Sequence, residues 1–206
     1  MICQPGIRML KVGPATDPES EMGPVITAEA KRRIEGLIGQ GVKEGAELVV
    51  DGRGLELQGY ERGFFLGGSL FHRVTKDMTI YREEIFGPVL PVLPFASTEE
   101  AMQIVNENKN PLALYLFTSD KKVEQEWMQK VPFGSGCVNN TVWQFANEHM
   151  PFGGIGNSGI GAYHGKSSFD IFSHAKPVLK TSTAIDPSLK YPPLKGKMKW
   201  FKKLMG

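Results

Sequence analysis

The sequence predicts an α/β fold, with a largely parallel sheet whose strands are joined by crossover helices. Residues 89–95 and 113–117 are short apolar segments with the length and composition of buried strands, and residues 137–139, which follow a Gly-Ser-Gly turn, are a further strand candidate. Two segments with helical spacing of apolar residues lie between them, so the order is strand, helix, strand, helix, strand. Parallel neighbours must be joined by a long crossover, and such crossovers are right-handed, so this order favours a parallel sheet.

The chain before this region contributes one long helix and one short strand. Residues 28–40 carry apolar side chains at helical spacing, with Thr27 placed to cap the start and Gly41 placed to end the helix. An apolar strand at residues 48–50 stops at an Asp-Gly turn. Residues 59–68 are rich in glycine and aromatic side chains, which predicts an irregular loop leading into another extended stretch.

Both crossover helices carry start signals. Ser97 or Thr98 caps the first, and two glutamates follow in its first turn, where the helix dipole favours acids. Residues 119–120 (Ser-Asp) open the second helix. Beyond residue 140 the periodicity ends: residues 150–165 form a glycine-rich segment that predicts a loop.

The composition indicates a folded protein and gives no reason to expect nucleic acid or a metal ion as a partner. Hydrophobic residues make up 41% and charged residues 22%, and a net charge of +2 does not favour nucleic acid. Cys3 and Cys137 lie far apart and form no metal-binding spacing, so we expect a reducing compartment, the cytoplasm, and no bound metal. We also expect no signal peptide and no segment that spans a bilayer.

Residues 154–159 (GIGNSG) match the pattern G-x-G-x-x-G. This pattern binds dinucleotides where it leaves a strand and opens a helix, and here no apolar strand immediately precedes it. A tight loop with glycines at positive φ is therefore the favoured interpretation, with dinucleotide binding as the alternative.

Residues 83–89 (EEIFGPV) place two carboxylates beside an apolar pair, and Gly-Pro then turns the chain into a strand. A carboxylate beside an aromatic ring at the end of a strand can accept hydrogen bonds from both hydroxyls of a ribose. The alternative is a solvated pair of glutamates, which composition alone favours.

Three strings occur in the order MGPVI (residues 22–26), EEIFGPV (83–89) and PFGGIGNSG (151–159). Together they resemble signatures of the aldehyde dehydrogenase superfamily, and the resemblance covers nearly the whole chain from Leu10 onward. Residues 10–81 look most like semialdehyde-oxidising members such as methylmalonate-semialdehyde dehydrogenase. From about residue 90 the chain looks like the class 3 and fatty aldehyde branch, so the substrate class stays open.

The resemblance implies NAD or NADP as the cofactor. Glu84 would hold the nicotinamide ribose hydroxyls, and Phe86 would pack near the nicotinamide ring. Asn139 would help to close the substrate side, and Phe152 would lie in a loop beside the active site and a subunit contact. That placement argues against dinucleotide binding by the G-x-G-x-x-G string.

The resemblance also implies that no catalytic residue lies in this chain. In relatives the Rossmann half, the general-base glutamate and the nucleophilic cysteine all precede the segment that matches residues 10–13. Cys3 is too close to that segment, so we interpret it as a chance thiol, and Cys137 as a small core residue. We interpret His164 and His174 as packed or surface side chains, although they match class 3 positions.

The resemblance therefore predicts the C-terminal part of an aldehyde dehydrogenase catalytic domain over residues 1–175, with an oligomerisation strand near 135–140 and a basic tail over 176–206. The complete enzyme would oxidise an aldehyde to an acid or an acyl thioester, and this part would be inactive alone. The alternative is a non-catalytic module that pairs with full-length relatives. We expect a homo-oligomer or a full-length subunit as the partner, and no membrane surface, although residues 195–203 are basic and aromatic.

Overall fold

The computed structural model describes the backbone of residues 3–204 and the side chains of residues 5–203. The chain forms two compact units, Met1–Glu107 and Asn108–Gly206, which are called the first and the second unit below. The first unit contains α1 (Cys3–Met9), α2 (Ala28–Lys43), β1 (Glu47–Val50), β2 (Ser69–His72), α3 (Thr79–Arg82), β3 (Val89–Pro91) and α4 (Thr98–Glu107). The second contains β4 (Ala113–Leu116), α5 (Lys121–Lys130), β5 (Ser135–Val138), α6 (Trp143–Ala146), α7 (Gly165–Ile171) and α8 (Met198–Leu204). Short 3-10 turns lie at Gly156–Ser158 and Ser188–Lys190.

A three-stranded sheet in the order β1-β2-β3 forms the centre of the first unit. β1 and β2 pair antiparallel, with Glu47 opposite His72, and β2 and β3 pair parallel, with Ser69 opposite Val89. β2 is the extended stretch expected after the glycine-rich loop. It is buried because it is the central strand, flanked by a neighbour on each side.

The long helix α2 covers this sheet and supplies much of its core. Its N-terminus matches the prediction, since the Thr27 side chain accepts a hydrogen bond from the Ala30 amide at 3.0 Å. The predicted end at Gly41 is wrong, because the helix continues to Lys43. Gly41 is instead a contact point: a Cβ atom there would lie 2.8 Å from Ile80 Cδ1 and 3.3 Å from Phe71 Cε1. The positive φ of 95° that ends the helix occurs at Gly45.

The strand predicted over residues 89–95 is shorter than expected. β3 ends at Pro91, and beyond it the Val92 amide still donates to the Phe71 carbonyl at 3.0 Å. Pro91 and Pro94 lack the amide hydrogens that a longer strand needs, so regular pairing stops.

In the second unit β4 and β5 pair parallel, and α5 is the crossover between them. Asp120 caps α5 as predicted, accepting from the Lys122 amide at 2.7 Å. Ser97 likewise starts α4 in the first unit, accepting from the Glu100 amide at 3.2 Å. The α/β class and the parallel strands are confirmed. The sheet is not continuous, however, because β3 and β4 belong to different sheets and β1 runs antiparallel.

The described residues were also compared with the requirements of a membrane-spanning helix and of a metal site. Within residues 3–204 no helix combines the length and apolar character needed to cross a membrane. The same part of the chain contains no cluster of three or more His, Cys, Asp or Glu side chains that could hold a metal ion.

Candidate functional site

The segment of residues 83–89 leaves α3 and enters β3 in the first unit. The Glu83 amide closes α3 by donating to the Thr79 carbonyl at 3.0 Å, and Glu83 itself is extended. Ile85 then enters the hydrophobic core and is 8% exposed. The residues on either side of it, Glu84 and Phe86, are exposed, and the Phe86 side chain has 76% of its area accessible. A buried residue thus separates the two predicted cofactor contacts.

Phe86 has a backbone conformation that phenylalanine rarely adopts. Its φ is +48°, in the left-handed region, which costs roughly 1–2 kcal/mol for a residue with a Cβ atom. The contacts of its neighbours explain how this is maintained. Ile85 lies in the core, and Gly87 lies so close to α2 that an added Cβ would be 2.5 Å from Ile34 Cδ1. With both neighbours fixed, the intervening residue is held out toward solvent.

The Glu84 carboxylate is available to a ligand. Among the described residues no hydrogen bond or ion pair to this side chain is present, in contrast to Glu44 and Glu107, which are both engaged. An exposed carboxylate with free lone pairs can accept two hydroxyl hydrogens, and charge-assisted bonds of this kind are about twice as strong as neutral ones.

Two polar contacts that the sequence did not reveal hold this segment. The Arg33 guanidinium Nη2 donates to the Ile85 carbonyl, and the Glu44 carboxylate accepts from the Thr79 amide at 2.7 Å and the Thr79 hydroxyl at 2.6 Å. The hydrogen bond from the Thr79 hydroxyl is the main reason that the pKa of Glu44 lies below its usual value. Both contacts join residues at least 35 positions apart, so no local pattern indicated them.

In the second unit, Asn139 directly follows β5 and has a positive φ of 55°. Both ends of its amide side chain bind the backbone after β4: Nδ2 donates to the Thr118 carbonyl at 2.8 Å, and Oδ1 accepts from the Thr118 amide at 2.9 Å. The Asn139 amide also donates to the Leu116 carbonyl at 2.8 Å. Asn139 therefore ties the carboxyl ends of the two strands together, rather than presenting a free amide.

Phe152 belongs to an aromatic cluster of four side chains. Its ring lies 5.1 Å from Phe145, 5.8 Å from Tyr163 and 6.1 Å from His164, measured between centroids. Reciprocal backbone hydrogen bonds of 2.9 Å pair Phe152 with Tyr163. His164 is a packed side chain, as expected, but its Nδ1 atom is buried and has no hydrogen-bond partner among the described residues.

A pocket of about 550 Å³ lies where β5 meets α6, in the same unit. Its polar centre is Gln144, which is only 5% exposed. Gln144 accepts from the Cys137 thiol at 2.9 Å and donates to the Tyr115 hydroxyl at 3.1 Å. Cys137 is thus half-buried in a pocket wall with a polar partner, rather than enclosed in the core. Gln144 and Tyr115 had no sequence signal, because they meet only when β4 and β5 pair.

The G-x-G-x-x-G string of residues 154–159 is a loop, as favoured. It follows an isolated bridge rather than a strand, and a 3-10 turn at Gly156–Ser158 takes the place of a helix start. Gly156 has a φ of +55°, and Gly154 packs against the Ser158 backbone. Such a loop lacks the βαβ setting that dinucleotide binding needs.

Comparison with known proteins decides the family. The profile of the Aldehyde dehydrogenase family matches residues 3–178. The chain belongs to the aldehyde dehydrogenase family. The superfamily resemblance expected from EEIFGPV and the two other strings is confirmed.

Several aldehyde dehydrogenases are similar to this chain. The malonate-semialdehyde dehydrogenase of Pseudomonas aeruginosa is 49% identical over 135 residues, which are 66% of this chain and 27% of that protein. The 4,4'-diaponeurosporen-aldehyde dehydrogenase of Staphylococcus aureus is 43% identical over 138 residues, 67% of this chain and 30% of its own length. Aldehyde dehydrogenase family 3 member I1 of Arabidopsis thaliana is 44% identical over 126 residues, 61% of this chain and 23% of its length.

A solved structure of the same family shares the fold. A methylmalonate-semialdehyde dehydrogenase from Sinorhizobium meliloti in complex with NAD superposes with a TM-score of 0.74 and 36% identity, covering 88% of this chain and 38% of that one. The mixed resemblance to semialdehyde-oxidising and class 3 aldehyde dehydrogenases is confirmed by these matches. The chain spans less than a third of the length of the curated relatives described above.

The predicted site residues fall into two groups. Glu84 and Phe86 lie on one segment of the first unit, while Asn139 and Phe152 lie in separate loops of the second. Cys3 begins α1, and its side chain lies outside the described residues. The candidate binding residues are therefore the exposed Glu84 and Phe86 in the first unit and the aromatic cluster around Phe152 in the second.

Proposed function

We propose that this chain is the C-terminal part of an NAD(P)-dependent aldehyde dehydrogenase, and that its first unit holds the nicotinamide end of the cofactor. One observation carries this proposal: in a member of this family, Glu84 and Phe86 are both exposed and flank the buried Ile85. Bound NAD or NADP would accept the hydride that leaves the substrate.

Each of the two side chains has a distinct role in this proposal. The Glu84 carboxylate accepts hydrogen bonds from the two ribose hydroxyls, which fixes the sugar, and the sugar fixes the face of the attached ring. The Phe86 ring, exposed and held by its left-handed backbone, offers a flat apolar surface against which the nicotinamide packs. The ribose and ring end of the cofactor therefore fits the residues present.

The second unit is proposed to form part of the substrate side. The aromatic cluster of Phe145, Phe152, Tyr163 and His164 supplies an apolar wall that keeps water away from an aldehyde. Asn139 stabilises the carboxyl ends of β4 and β5, and residues 135–140 are proposed to take part in subunit contact. We further propose residues 1–175 as catalytic-domain sequence, residues 176–206 as a basic tail, and a cytoplasmic homo-oligomer.

The thiolate that attacks the aldehyde and the base that activates water are assigned to no residue of this chain. In relatives they precede the segment that matches residues 10–13, so we propose that the 206-residue polypeptide tested alone is inactive. Ribose binding by Glu84 contributes on the order of a few kcal/mol, which is less than the cost of ordering a dinucleotide.

The test uses a complete aldehyde dehydrogenase that carries these residues. Glu84→Gln keeps the size of the side chain but removes its charge, so single-turnover hydride transfer should slow by about 10- to 100-fold while the NAD dissociation constant changes less. Glu83→Gln is the matched control, because Glu83 is the exposed neighbour with the same charge. Equal single-turnover rates for wild type and Glu84→Gln would remove the basis of the proposal.

A second function, as a non-catalytic module that pairs with full-length relatives, has one observation in its favour. Several large apolar side chains of the second unit are almost fully exposed, including Ile160 at 99%, Leu179 at 92% and Phe172 at 89%. Exposed apolar surface of this kind is typical of a contact with another chain. Size-exclusion chromatography with and without a full-length aldehyde dehydrogenase tests the second function, which requires a stable complex with that enzyme; no co-elution would overturn it.

A further inference from the structure

The segment that carries Glu84 and Phe86 rests on the first two turns of α2. The Arg33 guanidinium donates to the Ile85 carbonyl, and Ile34, the next residue of α2, packs against Gly87. Consecutive residues of α2 therefore hold the residues on both sides of Phe86. No described backbone amide donates to the Ile85 carbonyl, so within residues 3–204 the guanidinium is its hydrogen-bond partner.

The other end of α2 holds the entry to the same segment. Glu44 follows the last residue of α2 and accepts two hydrogen bonds from Thr79, the first residue of α3. α3 is only four residues long and ends directly before Glu83, so an anchor at its start also limits where Glu84 can lie. The helix thus fixes the segment from both directions.

We propose that Arg33 is a positioning residue for the cofactor: by holding the Ile85 carbonyl, it sets the direction in which Glu84 and Phe86 leave the core. This inference rests on the function proposed above. Ile85 connects Glu84 to Phe86 in the chain. The peptide group that contains its carbonyl also contains the Phe86 amide, so the orientation of this group affects Phe86 directly. Without the guanidinium, that peptide loses the donor that opposes its rotation, and Phe86 is free to leave its left-handed conformation.

Arg32 provides a matched control for Arg33. It is the preceding residue of α2, carries the same charge, is exposed, and has no hydrogen bond in the described structure. Arg33→Ala and Arg32→Ala therefore make the same change in net charge at neighbouring positions of the helix, and only Arg33→Ala removes the hydrogen bond to Ile85. Arg33→Lys restores a donor of shorter reach and without the planar fork.

The experiment measures the complete enzyme in two ways. Titration with NADH, followed by the fluorescence anisotropy of the bound nicotinamide, reports how firmly the ring is held without any turnover. Single-turnover hydride transfer reports the rate. We expect Arg33→Ala to lower the anisotropy and to slow hydride transfer by about 10- to 100-fold, with a change of less than about threefold in the dissociation constant. Arg32→Ala should match the wild type, and Arg33→Lys should recover part of the loss.

The outcomes distinguish this inference from the proposed function. If Glu84→Gln changes neither readout, the proposed function fails. If Glu84→Gln slows hydride transfer but Arg33→Ala behaves like Arg32→Ala, the function stands and the positioning role is overturned. A third outcome also overturns the positioning role. In it, Arg33→Ala lowers the number of NADH binding sites and the rate of hydride transfer in equal proportion, while the anisotropy of the bound NADH stays unchanged. This pattern would mean only that a smaller fraction of the protein is folded.

Discussion

Two glycines of α2 allow a direct test of how this helix packs. Alanine normally stabilises a helix interior relative to glycine by roughly 0.5–1 kcal/mol, because glycine loses more backbone freedom on folding. Gly36 faces open space, with no atom within 4 Å of an added Cβ. Gly41 is buried, and an added Cβ would lie 2.8 and 2.9 Å from two carbons of Ile80 and 3.3 Å from Phe71.

The two substitutions should therefore have opposite signs. Gly36→Ala should stabilise by the full helix term, about 0.5–1 kcal/mol. At Gly41 the same gain is opposed by overpacking against fully buried neighbours, which costs about 1–3 kcal/mol, so Gly41→Ala should destabilise by up to about 2.5 kcal/mol. Ile80 and Phe71 are 1% and 0% exposed, which leaves them little room to move.

Urea unfolding of each variant, compared at constant slope, measures the two differences. Thermal unfolding gives a second measure, at about 2–4 °C per kcal/mol for a chain of this size. If Gly41→Ala stabilises as much as Gly36→Ala, then α2 does not approach Ile80 and Phe71 as closely as described, and the reasoning from this close approach is refuted.

Two further predictions follow from the polar contacts and from the family assignment. The hydrogen bonds from Thr79 lower the pKa of Glu44 in the folded state, so Glu44 stabilises the fold above its unfolded pKa, and this contribution is lost as the pH falls through the lowered folded value. Glu44→Gln should therefore lower the free energy of unfolding at neutral pH and reduce the loss of stability as the pH falls. Glu29→Gln, at the other end of α2, serves as the control. Parallel pH–stability curves for Glu44→Gln and wild type would contradict this prediction. The purified polypeptide should show no NAD(P)-dependent oxidation of short, long or aromatic aldehydes, measured by NADH or NADPH absorbance. Turnover that Cys3→Ser abolishes would instead mean that this thiol acts as a nucleophile.

Local signals in the sequence were sufficient for most elements and for the family. Thr27, Ser97 and Asp120 mark helix starts because a capping side chain bonds to amides only two or three residues away. The apolar run of β4 and the segment Cys137–Val138 of β5 indicated the two strands, and the helix between them indicated a parallel pair. Glu84 and Phe86 were identified through a contiguous string, so their placement on one segment needed no tertiary information.

Contacts between distant residues were decided only by the tertiary structure. Gly41 has the local signal of a helix end, yet it lies inside α2. A glycine occupies this position because the approach of Ile80 and Phe71 leaves no room for a side chain there. Prolines shortened the strand after residue 89 by removing amide hydrogens from a pairing that the apolar pattern alone suggested. The division into two sheets was likewise invisible, since strand order does not determine which strands pair.

The sequence by itself determined the family, the order of the strands and of the helices α2, α4 and α5, and the two residues, Glu84 and Phe86, that we propose for the cofactor. Tertiary structure alone decided what holds that pair in place, namely Arg33 on the Ile85 carbonyl, Ile34 against Gly87 and Glu44 on Thr79. The physical reason is the separation along the sequence over which each kind of signal acts. Capping, periodicity and motif strings act over a few residues, whereas these three contacts join positions 35 to 53 residues apart and arise only once α2 packs on the sheet.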